Sequence, residues 1–131
     1  MNQPTIWHWL SDALEHQEAV MLMTVVSSTG SSPGKAGAKM AVTLQGECYG
    51  TIGGGAVEYA LIKLAQTGLN DESWTFRLSR HQHHLSKTGQ ASGMICGGEQ
   101  TVLLYRCRSS DRELCRQLWE IEYSHWDPME S

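Results

Sequence analysis

The chain of 131 residues is 40% hydrophobic and 18% charged, which is the composition of a globular domain and excludes an intrinsically disordered protein. Its length predicts one domain, residues 1–131, with its own hydrophobic core. The formal net charge of −4 argues against a nucleic acid or an anionic membrane as the partner.

The absence of a membrane span, of a signal peptide and of paired cysteines from the sequence indicates the cellular compartment. No apolar run approaches the ~18 residues of a membrane span, and the first five residues have no basic region of the kind that opens a signal peptide. The four cysteines form no CxxC pair, which argues for reduced thiols and against a disulfide scaffold. We therefore expect a cytoplasmic protein.

The spacing of hydrophobic residues predicts three helices and five strands. In chain order these are a helix at 5–18, strands at 19–26, 38–44 and 48–52, a helix at 57–68, strands at 74–78 and 100–105, and a helix at 111–123. Polar residues predict loops at 27–37 and 79–93. The last helix is expected to bury Leu114, Leu118 and Ile121. This order predicts an α+β fold in which a mixed β-sheet core packs with about three helices.

The loop at 27–37 is the first candidate binding segment. A phosphate-binding P-loop needs GxxxxGK followed by Ser or Thr, whereas Thr29 stands where that pattern has its first glycine and Ala36 stands where it has the hydroxyl. What remains is a run of hydroxyls and one cation, Lys35, which can hold a phosphate or another oxyanion. An ordinary inter-strand loop is the alternative.

Three consecutive glycines, Gly53, Gly54 and Gly55, separate a strand from the strongest predicted helix. Glycines there let a ligand approach the backbone at a helix N-terminus, where N–H groups and the helix dipole favour an anion. A bare tight turn is the alternative. Glu58 lies in the first helical turn, where it either contributes to the site or complements the helix dipole. The segment lacks the spacing of the dinucleotide fingerprint GxGxxG.

Cys96 lies beside Gly97 and Gly98, so neighbouring side chains leave its thiol unshielded and a ligand could approach it. A buried, inert cysteine is the alternative. His81, His83 and His84 could contribute metal ligands, but no CxxC or HxxxH partner completes a site, which favours histidines on a surface loop.

Together the three glycine-bearing segments resemble the N-terminal domain of the XdhC/CoxI proteins, the xanthine dehydrogenase accessory factors. The resemblance runs from about residue 20 to residue 105. The residues that carry it are Gly30, Ser31, Ser32 and Pro33 with Gly37, Ala38, Lys39 and Met40, then the run from Gly50 to Gly55 with Val57 and Glu58, then Gly93 and Met94 with Cys96, Gly97 and Gly98.

The resemblance implies an accessory protein, not a self-sufficient enzyme. Such a protein binds the molybdenum cofactor (molybdopterin), protects it while a cysteine desulfurase supplies its sulfido ligand, and delivers it to a molybdenum hydroxylase apoenzyme such as xanthine dehydrogenase. Cys96 would contact the molybdenum. The cofactor-binding residues it implies are Gly30, Ser31, Ser32, Lys35, Gly53, Gly54, Gly55, Glu58, Cys96, Gly97 and Gly98.

Two departures from the family pattern qualify this expectation. Many members have a cysteine after the triple glycine, where this chain has Ala56, so Cys96 takes over any thiol role and Cys48 is a weaker substitute. Many members also continue into a C-terminal Rossmann-like domain, which we expect to be absent or supplied by a separate protein. Two alternatives stay open: a small thiol-dependent enzyme acting through Cys96, and a module that docks onto a Rossmann-domain partner.

Overall fold

The computed structural model describes residues 5–30, 34–84 and 96–124. In chain order the elements are α1 (Ile6–Glu15), β1 (Val20–Thr29), β2 (Lys39–Thr43), β3 (Cys48–Gly50), α2 (Gly55–Leu69), β4 (Phe76–His84), β5 (Cys96–Arg106) and α3 (Asp111–Ser124). The predicted α+β class, with three helices and five strands in one domain, is confirmed.

The five strands form one sheet in the order β3-β2-β1-β5-β4. All four pairings are antiparallel, so the expectation of a mixed sheet is wrong on this point. The central strand β1 pairs with both β2 and β5, although the latter lies some 70 residues further along the chain. Hydrophobic spacing identifies strands, but it does not give the direction in which distant strands pair.

The helices lie on both faces of the sheet because side chains alternate along each strand. On one face of the sheet, buried side chains that include Met21, Met23 and Leu104 pack with the buried side of α2. On the other face, buried side chains that include Val20 and Ala41 pack with α1 and with Cys115 of α3. The sheet therefore separates two hydrophobic clusters.

Strand β4 corrects one prediction. The polar stretch that begins at Ser79 was expected to form a loop, but β4 continues to His84, whose backbone pairs with Cys96. Pairing with β5 supplies the backbone hydrogen bonds, while the position at the sheet edge leaves polar side chains in water. The rest of that predicted loop, residues 85–93, lies outside the described residues.

Helix α3 corrects a second prediction. Leu114 and Ile121, expected on its inner face, are 56% and 55% exposed, and the buried residue of the helix is Cys115. The helix packs mainly on α1, where the rings of His8 and Trp119 lie 4.6 Å apart. An apolar stripe in the sequence predicts that a helix has an apolar face. Which residues of that face are buried depends on how the helix packs against its neighbour, here α1.

Candidate functional site

The described parts of the three glycine-bearing segments meet at one end of the sheet. The side-chain amide of Gln100 in β5 donates a hydrogen bond to the carbonyl oxygen of Ile52 over 3.0 Å. A Cβ atom on Gly34 would lie 2.1 Å from that oxygen and 2.5 Å from Gln100 Nε2. Only glycine fits there, because side-chain carbons do not approach other atoms so closely. Gly34 thus brings the first loop against the other two segments.

The end of β1 reinforces this junction. A bulge between Val25 and Ser27 shifts the register, after which Ser28 pairs with Gln100. The Ser28 hydroxyl donates to the carbonyl oxygen of Gly34 over 2.7 Å. Bulges change the direction in which the following side chains point. Here the residue after the bulge that contacts the first loop is Ser28.

The triple-glycine turn (residues 53–55) leads into α2. All three glycines have positive φ, at +125°, +79° and +78°, a conformation that side-chain-bearing residues rarely adopt. A Cβ atom on Gly54 or Gly55 would meet nothing within 4 Å, so this face of the turn is open. The first N–H groups of a helix have no intrahelical acceptor, and those of α2 begin at this open face.

Glu58 folds back over the turn from the first turn of α2. Its Oε1 atom accepts hydrogen bonds from the Thr51 hydroxyl at 2.7 Å, the Gly54 N–H at 2.8 Å and the Ile52 N–H at 3.1 Å. Burial raises the pKa of Glu58, but these hydrogen bonds together outweigh it, so the pKa lies below its ordinary value. The ionised carboxylate is therefore part of the turn.

The other predicted site residues have different placements. Gly30, Lys35, Gly53 and Gly55 are exposed, and Gly54, Glu58 and Gly98 are partly buried. Cys96 and Gly97 open strand β5, but the Cys96 side chain, like Ser31 and Ser32 as a whole, lies outside the described residues. The structure therefore brings Gly34, which precedes Lys35, and Ile52, which precedes the triple-glycine turn, into contact with Gln100 of β5, without describing the thiol.

The other cysteines differ in exposure. Cys48 is exposed on β3, where its Sγ donates to the carbonyl oxygen of Gly46 over 3.3 Å. Burial, and then the charge of Glu58, raise the pKa of Cys48. Burial raises the pKa of Cys107 to about 12, with smaller contributions from Cys115 and Asp111.

Gln100 and Gly34 were missing from the predicted set. Gln100 lies two residues before Val102 and four before Leu104, so the alternation of β5 places its side chain on the same buried face. A polar residue at a position where the alternation predicts a buried side chain indicates a buried hydrogen bond. The close approach of Gly34 has no comparable signal, because the contact depends on how distant segments pack.

The part of the chain that the structure describes contains neither a membrane-spanning helix nor a cluster of metal-ligating side chains. None of its helices is long and apolar enough to cross a membrane. No group of three or more His, Cys, Asp or Glu side chains there could hold a metal ion.

Comparison with known proteins gives the family. The XdhC and CoxI family matches residues 13–79, slightly more than half of the chain. The chain belongs to this family. The match includes the first loop and the triple-glycine turn, and the third segment lies beyond it.

A solved structure is similar over a longer stretch. It is the crystal structure of a xanthine dehydrogenase from Bacillus halodurans, with a TM-score of 0.66 and 26% sequence identity over 86% of this chain. This chain spans 34% of the length of that protein. No curated protein matches the sequence.

Proposed function

We propose that this member of the XdhC and CoxI family is an accessory protein that binds the molybdenum cofactor in transit to a molybdenum hydroxylase and does not itself catalyse a reaction. The observation that carries the proposal is the junction of Gly34, Ile52 and Gln100. It joins the first loop at Gly34, the segment that leads into the triple-glycine turn, and β5, the strand that begins at Cys96. One small ligand could touch all three segments there.

The residues present suit the organic part of such a cofactor. Lys35 is exposed next to the buried Gly34 and offers a cation to a phosphate group. The open face of Gly54 and Gly55 lets a flat ring approach the backbone closely. The cofactor supplies the metal chemistry, which takes place in the hydroxylase, while this chain binds, orients and shields its cargo.

The metal end of the cargo is assigned to Cys96. A single thiolate ligand agrees with temporary binding better than a closed metal cage would. We propose that a cysteine desulfurase supplies the sulfido ligand while the cofactor is bound here, and that the hydroxylase then receives it.

Retention of the cofactor tests this proposal. The purified protein is mixed with molybdopterin cofactor under anaerobic, low-salt conditions and separated by gel filtration. We expect the cofactor to co-elute with the wild-type protein and to be lost from a Cys96→Ser, Lys35→Gln double variant. A Cys107→Ser, Lys63→Gln double variant is the matched control, because it makes the same two chemical changes at residues to which no binding role is assigned, and Cys107 packs on the opposite face of the sheet. Absence of co-elution with the wild type would refute the proposal.

One observation favours a second function, that of a docking module. Phe76 and Leu78 are exposed on the edge strand β4, and exposed apolar residues on a long sheet edge are typical of interaction sites. The relative with known structure is about two and a half times as long as this chain, so the additional part has the size of a further domain, and a separate Rossmann-domain protein is the partner we propose. Binding to that partner or to the hydroxylase without any retention of cofactor would identify this function.

A further inference from the structure

Glu58 places a negative charge where a helix N-terminus would otherwise attract an anion. Its Oε1 atom accepts hydrogen bonds from the N–H groups of Ile52 and Gly54 and from the hydroxyl of Thr51. The Thr51 hydroxyl in turn accepts a hydrogen bond from the Gly53 N–H over 3.0 Å. The backbone N–H groups of Ile52, Gly53 and Gly54 are therefore already bound to atoms of the protein.

A phosphate group is a poor occupant for a turn in this state. It would have to displace the carboxylate from three hydrogen bonds, or lie beside it and experience like-charge repulsion. The second carboxylate oxygen, Oε2, accepts no hydrogen bond from the described residues. An oxygen with free lone pairs beside an open glycine surface suits a ligand group that donates hydrogen bonds.

The first loop supplies a cation, Lys35, directly after the junction residue Gly34. Gly34 packs against the carbonyl oxygen of Ile52, and Lys35 is the next residue, so its Cα atom lies about 3.8 Å further along the chain. Lys35 is exposed, so its ammonium group is available to a ligand. A positive side chain and a negative side chain thus belong to the two segments that meet at the junction.

We propose that Glu58 is a specificity-determining residue that sets the orientation of the ligand: it keeps phosphate off the triple-glycine turn and accepts hydrogen bonds from the N–H-bearing edge of a pterin ring, while the phosphate binds at Lys35. The proposal rests on the proposed cofactor-binding function. It goes further by assigning opposite ends of the ligand to two segments.

Titration with pyrophosphate, followed by the backbone amide signals of isotopically labelled protein, tests this assignment. In the wild type we expect shifts at Gly34 and Lys35 and none at Gly54 and Gly55. In Glu58→Gln, which keeps an acceptor but removes the charge, we expect the Gly54 and Gly55 signals to shift as well. The affinity of Glu58→Gln for pyrophosphate should be about fivefold higher than that of the wild type, as removal of one nearby like charge predicts.

Glu72→Gln is the matched control, because it removes the same charge from an exposed site beyond α2, and it should leave the wild-type pattern unchanged. Lys35→Gln should abolish the wild-type response. The assignment is overturned if pyrophosphate shifts Gly54 and Gly55 in the wild type, if it shifts neither in a folded Glu58→Gln, or if Gly34 and Lys35 do not respond.

The wild-type titration decides the question even if Glu58→Gln does not fold. The test is also independent of the proposed function. If the wild type fails to retain molybdopterin in gel filtration, cofactor carriage is refuted, whereas the pyrophosphate titration still shows whether Glu58 excludes phosphate from the turn.

Discussion

The side chain of Gln100 donates a hydrogen bond to the main-chain carbonyl oxygen of Ile52 over 3.0 Å, across 48 residues of sequence. Gln100 is only 1% exposed, so water cannot replace this bond without a change in packing. The bond ties β5 to the segment that leads into the triple-glycine turn. Buried polar contacts of this kind fix a single arrangement of the backbone groups around them.

Replacement of Gln100 by Met should therefore destabilise the protein. It leaves the carbonyl oxygen of Ile52 buried without its donor, which costs about 1–3 kcal/mol of unfolding free energy. Urea denaturation measures the loss. Gln66→Met is the matched control, since Gln66 makes the same kind of bond to the carbonyl oxygen of Leu44 at a half-buried site, where water can take its place. An equal loss in both variants would contradict the argument.

Gly34→Ala should be more harmful than an alanine at an open glycine. The new Cβ atom would lie 2.1 Å from the carbonyl oxygen of Ile52, so the first loop must move away. We expect a loss of about 1–3 kcal/mol, as for overpacking of a filled core, together with weaker cofactor retention. Gly37→Ala is the control, because its positive φ adds backbone strain but nothing lies within 4 Å. A smaller loss for Gly34→Ala than for Gly37→Ala would disprove the close-contact explanation.

The contribution of Glu58 to stability should depend on pH. Its hydrogen bonds hold the pKa below the ordinary value of 4.5, so the folded protein favours the ionised form. This stabilisation is complete above pH 4.5 and is lost as the pH falls through the lower folded-state pKa. We expect wild type to exceed Glu58→Gln by on the order of 1 kcal/mol at pH 7 and by much less at pH 3. Urea denaturation at both values checks this, and a constant difference would exclude ionisation as the cause.

The corrected packing of α3 can be tested with one pair of matched substitutions. Leu14 in α1 is 5% exposed, whereas Leu114 in α3 is 56% exposed. We expect Leu14→Ala to lower the unfolding free energy by about 2–5 kcal/mol and Leu114→Ala to change it by less than about 0.5 kcal/mol. Thermal denaturation followed by circular dichroism gives both values. Similar losses would place Leu114 in the core.

Cysteine labelling should follow exposure. Burial raises the pKa of Cys107 to about 12, so this thiol stays protonated at pH 8, and only the thiolate is an effective nucleophile. Cys48 also has a raised pKa but is exposed. Iodoacetamide at pH 8, followed by peptide mass mapping, should therefore modify Cys48 before Cys107 or Cys115. Faster labelling of Cys107 would show that the layer formed by α1 and α3 opens readily.

Hydrophobic spacing was sufficient to predict the helices and most of the strands, because α2 and β1 each have a face that must be buried. It was not sufficient for the second half of β4, where polar residues such as Arg80 and Gln82 carry no apolar alternation. Strand pairing alone forms that part of β4, and strand pairing depends on the distant strand β5.

The candidate site was predictable to a similar extent. Three glycine-rich segments were identified from residue type and order, but their junction depends on Gly34 and Gln100, whose contacts arise only when distant segments pack. Glu58 was expected either as a ligand-binding residue or as a complement to the helix dipole. Its three hydrogen bonds to residues 51–54 depend on the backbone conformation of glycines that no local pattern specifies.

The arrangement of the two hydrophobic clusters on opposite faces of the sheet allows the protein to change on one side without altering the other. Substitutions in α1 or α3 should change the packing of one face, while the layer beneath α2 keeps the glycine turn in place. Substitutions more than about 7–10 Å apart usually act additively. The sheet thus gives this small domain two surfaces that can evolve separately.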